Sequence, residues 1–248
     1  MKAFRKLITI PLFLLSALVA SSEFYTPKDD LESLQKNKKE DAALPNVLLL
    51  GDSISIGYTP TVVELLDGKA NVSRPTNKAR VNCGDTERGL KDLDKWLGDK
   101  KWDVIHFNWG LHDLCYRHPD AKVYGKRDKI NGTVSVPVEK YQENLEQLVE
   151  RLEKTGAILI WASTTRVPEG EAGRFVGDDV KYNAAAKQVM DKHEVTINDL
   201  HALTASFGPS LFSKPGDVHF SKAGSEQLAA QVASEISKAL DKLNTPKE

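Results

Sequence analysis

The sequence predicts an α/β fold in which a parallel sheet carries helices on both faces. Residues 47–50 and 104–108 are short apolar runs of the kind that forms strands buried on both sides. Stretches with apolar residues at three- and four-residue spacings, which are typical of amphipathic helices, follow these runs. Because strands and helices alternate along the chain, the strands are expected to run parallel beneath two layers of helices.

The remaining elements follow from the same patterns. Further short strands are predicted at residues 70–74, 157–162 and 195–197. Helices are predicted near residues 60–66, 90–97, 137–154, 178–190, 200–206 and 221–243. Residues 115–133 are basic, show no clear periodicity and are long for a loop, which is common where a loop carries function.

Length and charge narrow the class of protein. A chain of 248 residues with 40% hydrophobic residues can bury the core of about one domain. Its formal net charge of −1 gives no sign of a nucleic-acid partner or of binding to an anionic membrane.

The N-terminal residues differ in composition from the rest of the chain. Lys2, Arg5 and Lys6 form a basic start, residues 7–20 are apolar, and small residues follow. Residues 1–22 are therefore predicted to be a secretory signal peptide and residues 23–43 a charged linker, with the folded domain at 44–243. A membrane anchor is the alternative, although the apolar run is short for a span. The mature protein is expected to be secreted or periplasmic, without stable membrane insertion.

The end of the first predicted strand is a candidate catalytic site. The apolar run stops at Gly51, and Asp52 and Ser53 are residue types that begin helices. Ser53 is thus predicted at the carboxyl edge of the sheet, where α/β folds place their sites. A serine at such a corner can attack a carbonyl carbon while backbone N–H groups hold the oxyanion.

Two later segments offer partners for this serine. The strand at 104–108 ends in Gly110-Leu111-His112-Asp113, and Asp217-Val218-His219 precedes the closing helix. His219 can remove the proton of a serine hydroxyl, and Asp217 can fix the tautomer of that histidine.

Together these segments resemble the SGNH (GDSL-like) hydrolase family over residues 45–240. The matching blocks are Gly51-Asp52-Ser53-Ile54-Ser55, then Gly84 before a helix, then the Gly110 block and finally Asp217-Val218-His219. The resemblance implies a flavodoxin-like, three-layer α/β/α sandwich that hydrolyses a small ester without a cofactor. It implies Ser53 as nucleophile and His219 as base.

The resemblance also implies an oxyanion hole. The backbone N–H groups of Ser53 and Gly84 would join a side-chain donor from the third block. The family usually carries Asn where this chain has His112, so His112 is the expected donor and Asn108 its rival. The family also places its last acid three residues before the histidine, whereas Asp217 is two before; a backbone carbonyl is therefore the alternative partner of His219.

Other residues allow more than one interpretation. Cys83 and Cys115 are the only cysteines of a chain predicted to be exported, which favours a disulfide between them over two buried thiols. The six-residue spacing of His106, His112 and His118 matches no metal-ligand motif, so no metal site is expected. Arg166, after a strand, either binds an acidic substrate or forms a surface ion pair.

The sequence therefore predicts a secreted serine esterase that removes an acyl group, such as acetyl, from a carbohydrate or a short lipid ester. Two alternatives remain: a catalytically silent SGNH-like module that binds or helps assemble glycans, and an O-acyltransferase. The oligomeric state is unknown.

Overall fold

The structure is a computed structural model that describes residues 40–75, 81–120 and 126–244. The predicted signal peptide at 1–22 and the part of the predicted linker up to residue 39 lie outside the described residues. Within the described ranges, no helix is long and apolar enough to cross a membrane.

Five parallel strands form the central sheet in the order β2-β1-β3-β6-β7. They are β1 (Asn46–Leu50), β2 (Asn71–Ser73), β3 (Val104–Phe107), β6 (Ile158–Ala162) and β7 (Thr196–Asn198). Two short strands, β4 (Tyr116–Arg117) and β5 (Thr133–Val134), form a separate antiparallel pair. The strand order reverses direction after β1, and this position is where open parallel sheets place their sites.

Helices cover the sheet on both faces and complete the three-layer α/β/α sandwich. They are α1 (Ser53–Leu65), α2 (Thr86–Leu97), α3 (Val138–Glu153), α4 (Asp178–Lys192), α5 (Leu200–Ala205) and α6 (Lys222–Asn244). Helices α1 and α6 pack against each other, while α3 packs against both α2 and α4. The predicted fold class is confirmed.

Burial on both faces explains why the central strands are so apolar. Residues Val47 to Leu50 of β1 and Val104 to Phe107 of β3 are almost completely buried, including His106 in the middle of β3. The Nε2 of His106 forms a hydrogen bond with the side-chain Nδ2 of Asn198, 3.1 Å away. This histidine is thus part of the core.

Helix α1 begins at Ser53, the position where the sequence predicts a strand to end and a helix to begin. It is longer than the helical pattern near residues 60–66 and carries Pro60 in its interior. Two side-chain bonds support the early turns. Asp52 caps the helix by accepting the Ile54 N–H at 2.9 Å, and the Thr59 hydroxyl donates to the Ser55 carbonyl at 2.6 Å.

Candidate active site

Ser53 and His219 meet at the carboxyl edge of the sheet. Ser53 is the first residue of α1, directly after β1, and His219 lies in the loop before α6. The Ser53 Oγ lies 2.8 Å from the Nε2 of His219, although 166 positions separate the two residues in the chain. The packing of α6 against α1 brings the loop to the serine.

Asp217 completes a chain of hydrogen bonds. Its Oδ1 lies 2.6 Å from the Nδ1 of His219 and also accepts the backbone N–H of His219 at 3.0 Å. Partial burial opposes ionisation of this carboxyl group, but the hydrogen bonds from His219 outweigh it and hold the pKa of Asp217 below its usual range. An ionised Asp217 facing Nδ1 fixes the proton there, so that Nε2 can accept a hydrogen bond from the Ser53 hydroxyl.

The spacing of two residues between acid and histidine therefore still permits contact. Asp217 folds back on His219 through a tight turn. Its Oδ1 forms hydrogen bonds with both the ring Nδ1 and the backbone N–H of His219. Lys214 Nζ lies 3.7 Å from the other carboxylate oxygen. The side chain of Asp217, rather than a backbone carbonyl, faces His219.

His112 lies in the same cavity as Ser53 and His219, at the turn after β3. Burial lowers the pKa of His112 to about 4, an effect to which the nearby Arg174 and Arg117 add and which Asp52 opposes. The imidazole is therefore neutral near pH 7 and carries one N–H. Gly110 starts this turn close to the next strand: a Cβ there would lie 2.0 Å from the Thr164 Oγ1.

Asn108, the rival donor, points elsewhere. Its side-chain amide donates to the Ala162 carbonyl at 2.7 Å, at the end of the neighbouring strand β6. It lines a separate small space between the sheet and α1 and does not line the cavity that holds Ser53. His112 therefore shares the cavity of Ser53, whereas the Asn108 amide is bonded to the end of β6.

The backbone N–H of Gly84 already has a hydrogen-bond partner. It donates to the side-chain Oδ1 of Asn82 at 2.9 Å, and Asn82 itself lines the cavity. Gly84 adopts a φ of 64°, a left-handed conformation that favours glycine. The role of Gly84 as an oxyanion donor stays a prediction, and its N–H is shared with Asn82 in this loop.

Asp113 links the turn after β3 to the start of α2. Its Oδ1 accepts both the backbone N–H of Thr86 at 2.9 Å and the Thr86 hydroxyl at 2.5 Å. Asn144 on α3 donates to the same hydroxyl at 3.1 Å. Complete burial raises the pKa of Asp113 to about 8 against the opposing hydrogen bonds from Thr86, so this carboxyl group is mostly protonated at neutral pH.

The raised pKa of Asp113 predicts a pH dependence of stability. The folded state holds a proton that the unfolded chain releases near pH 4, so the stability contributed by this group falls as pH rises from about 4 to about 8. We expect Asp113→Asn to lack this fall. Urea unfolding at pH 5, 7 and 9 measures it, and parallel profiles for the two proteins would contradict the assignment.

The predicted Cys83–Cys115 disulfide is absent, since both cysteines are buried free thiols. They lie in different surroundings. Cys83 belongs to the main apolar core, whereas the Cys115 Sγ lies 3.6 Å from the Tyr116 carbonyl and beside Gly173, where a Cβ would come within 3.1 Å of the sulfur. Cys83 and Cys115 belong to loops that flank the same site, but a disulfide also requires the two side chains to point toward each other.

The cavity has a basic wall that sequence reasoning missed. The cavity measures about 300 Å³, and beside Ser53, His112 and His219 it is lined by Arg117, Lys126, Arg127 and Arg174. Three of these four lie in the basic segment 115–133. The charge of that segment is the sequence feature that could have indicated a basic cavity. Arg166, the arginine singled out from the sequence, is exposed and does not line this cavity.

The three histidines considered as metal ligands lie in different surroundings. Among the described residues, no group of three or more such side chains could hold a metal ion. His106 is in the core, His112 lines the cavity and His118 accepts the Asp120 N–H at 3.2 Å.

Comparison with known proteins identifies the class to which this fold and site belong. The sequence model of the GDSL-like Lipase/Acylhydrolase family matches residues 49–227, most of the chain. The chain therefore belongs to the GDSL-like lipase/acylhydrolase family and is an ester hydrolase of the SGNH type. No curated protein matches it in sequence.

Solved structures show the same fold at low sequence identity. A lipase/acylhydrolase from Enterococcus faecalis is 22% identical with a TM-score of 0.63, covering 83% of this chain and 100% of its own. The acetyl xylan esterase AlAXEase is 15% identical with a TM-score of 0.61, covering 77% and 99%. An acetylxylan esterase from Geobacillus stearothermophilus is 17% identical with a TM-score of 0.58, covering 77% and 94%.

Proposed function

We propose that the protein is a serine esterase that removes a small acyl group, such as acetyl, from a carbohydrate through Ser53, His219 and Asp217. The observation that carries this proposal is the unbroken chain of hydrogen bonds from Ser53 Oγ through the His219 ring to Asp217 Oδ1. A serine hydroxyl held 2.8 Å from an oriented imidazole nitrogen is arranged for proton transfer as the oxygen attacks.

In the first half of the reaction, Ser53 Oγ attacks the ester carbonyl carbon while His219 Nε2 takes the hydroxyl proton. The carbonyl oxygen becomes an oxyanion, which the Ser53 N–H at the start of α1 and the His112 side chain stabilise. The tetrahedral intermediate then collapses: the bond to the alcohol oxygen breaks, and the alcohol leaves with the proton from His219. Ser53 is left as an acyl ester.

In the second half, water replaces the alcohol. His219 Nε2 removes a proton from the water as its oxygen attacks the acyl-enzyme, and the same oxyanion donors hold the second intermediate. Collapse releases the carboxylic acid and returns the proton to Ser53 Oγ. Asp217 keeps its negative charge throughout and stabilises the imidazolium that forms twice.

A carbohydrate ester is favoured by two observations. Structures with the same fold include proteins described as acetyl xylan esterases, although at 15–17% identity. The cavity is small, about 300 Å³, and nine of its eleven lining residues have polar or charged side chains, which suits a short acyl group on a hydrophilic carrier better than a long alkyl chain. A short lipid ester is the alternative outcome of a substrate test.

The function is tested with p-nitrophenyl acetate, acetylated glycans, short lipid esters and a serine-directed phosphonate. We expect turnover with labelling of Ser53, and faster hydrolysis of acetylated glycans than of lipid esters. Labelling with slow turnover that added sugar accelerates would instead indicate acyl transfer. Neither labelling nor turnover would indicate a catalytically silent binding module.

We also infer that the protein is exported and acts outside the cytoplasm. The basic and then apolar composition of residues 1–20 supports this inference. Fractionation of expressing cells, with N-terminal sequencing of the mature protein, is expected to find a start close to residue 23. An intact N-terminus in the cytoplasm would contradict it.

A further inference from the structure

The cavity that holds Ser53 carries an excess of positive charge in its lining. Four lining side chains are cationic, namely Arg117, Lys126, Arg127 and Arg174, whereas the single acidic lining residue is Asp52. Asp52 is itself committed to capping α1. A protein with an overall charge of −1 has therefore gathered cations at one site.

Two of these arginines share one buried carboxylate. The Glu171 Oε1 lies 2.8 Å from Arg127 Nη1 and 3.0 Å from Arg174 Nη1, and the Glu171 side chain has no exposed surface. The other oxygen of Glu171 accepts the Gly173 N–H at 2.6 Å. One negative charge thus faces two guanidinium groups, which leaves this cluster with a net positive charge.

Arg174 is fixed beside the catalytic turn. Its side chain is only 5% exposed, and its Nε donates to the Leu111 carbonyl at 2.7 Å, next to His112. Arg117 also lies close enough to His112 that both arginines lower the pKa of that imidazole. Rigid guanidinium groups so close to the reacting centre lose little freedom when they bind a ligand.

Lys126 and Arg127 form the exposed part of this cluster, whereas Arg174 is buried against Glu171. Among the residues that line the cavity, four are cationic and only Asp52 is acidic, so the surface that a ligand meets is positively charged. An anionic group on a ligand would be attracted to this surface and could accept paired N–H bonds from a guanidinium group. The fork of Arg suits a carboxylate or a sulfate equally well.

From this geometry we propose that the substrate is an acyl ester whose sugar carries an anionic group, a carboxylate or a sulfate, which Arg127, Arg174, Arg117 and Lys126 bind. This proposal rests on the esterase function proposed above. The proposed substrates are acylated acidic glycosides, and the four cationic side chains bind their anionic group.

The test compares monoacetylated methyl glycosides that differ only in charge. A glucoside is neutral, a glucuronoside carries a carboxylate, its methyl ester removes that charge, and a sulfated glucoside carries a sulfate; p-nitrophenyl acetate gives the baseline. We expect at least one anionic substrate to exceed its neutral counterpart by about tenfold in kcat/KM, through a lower KM. The two anions show which group the wall prefers.

Salt and variants test whether charge is the cause. Raising the salt from 20 mM to 500 mM should remove most of the preference, because screening weakens accessible ion pairs. Arg127→Gln and Lys126→Gln should each reduce the anionic-to-neutral ratio by several fold. Lys238→Gln is the control, because this lysine pairs with Glu235 and does not line the cavity. It lies about four turns along α6 from Lys222, the first residue of that helix, so the ratio should not change.

The outcomes separate this proposal from the esterase itself. Turnover of p-nitrophenyl acetate and of all glycosides at similar rates would leave the esterase in place and overturn the anionic substrate. A preference that survives 500 mM salt and both substitutions would also overturn the charge-based explanation. Absence of all turnover would overturn the esterase and, with it, this proposal.

Discussion

Ser53→Ala and His219→Ala are each expected to reduce turnover of p-nitrophenyl acetate by on the order of 10⁴- to 10⁶-fold. Alanine at 53 removes the attacking oxygen, and alanine at 219 removes the nitrogen that lies 2.8 Å from it. Because the two groups act as one unit, the double variant should be hardly slower than either single variant. Steady-state rates, with burst kinetics for the acyl-enzyme, provide the measurement.

Folding controls make this result interpretable. Ser53 and His219 are partly exposed rather than core residues, so both variants should unfold in urea within about 0.5 kcal/mol of the native protein. Asp217→Ala should cost as much or less, since the histidine retains its place but loses the carboxylate at Nδ1. Near-normal turnover in either Ser53→Ala or His219→Ala would show that its assigned role is wrong.

His112→Ala is expected to slow turnover by about a hundred- to a thousandfold, the usual cost of losing one oxyanion donor. The effect should appear in kcat, because the bond strengthens as negative charge develops on the oxygen. The neutral imidazole that its lowered pKa ensures offers one N–H, as the amide of an asparagine would. Rates at pH 7 with p-nitrophenyl acetate measure the loss.

Two matched variants decide between His112 and its rival. His112→Asn should recover much of the activity, because it places an amide donor at the same turn. Asn108→Ala removes the bond to the Ala162 carbonyl and should mainly lower stability, with only a mild loss of turnover. A strong loss in Asn108→Ala beside a mild one in His112→Ala would assign the oxyanion donor to Asn108.

The sequence was most informative where local chemistry and position agree. Four consecutive apolar residues ending in Gly51-Asp52-Ser53 predict both a strand buried on two faces and a helix start at its end. The closing helix after His219 was likewise visible from its apolar spacing. Parallel sheets bring strand ends to one edge, so the place of Ser53 at the carboxyl edge followed from topology.

Features that depend on side-chain direction could not be predicted in the same way. The two cysteines flank neighbouring loops but lie in different packing environments. The use of the Gly84 N–H by Asn82 depends on one side-chain rotation. The basic wall combines Arg117, Lys126 and Arg127 with Arg174, which lies 47 residues after Arg127. Only the folded chain shows that a buried Glu171 joins Arg127 to Arg174.

The 166 positions between Ser53 and His219 also concern the order of events in folding. At a synthesis rate of about 5–20 residues per second, the serine would leave the ribosome roughly ten to thirty seconds before the histidine. The active centre therefore closes only when α6 docks on α1, one of the most distant contacts along the chain. Helical content should return before esterase activity when the unfolded protein is diluted from denaturant.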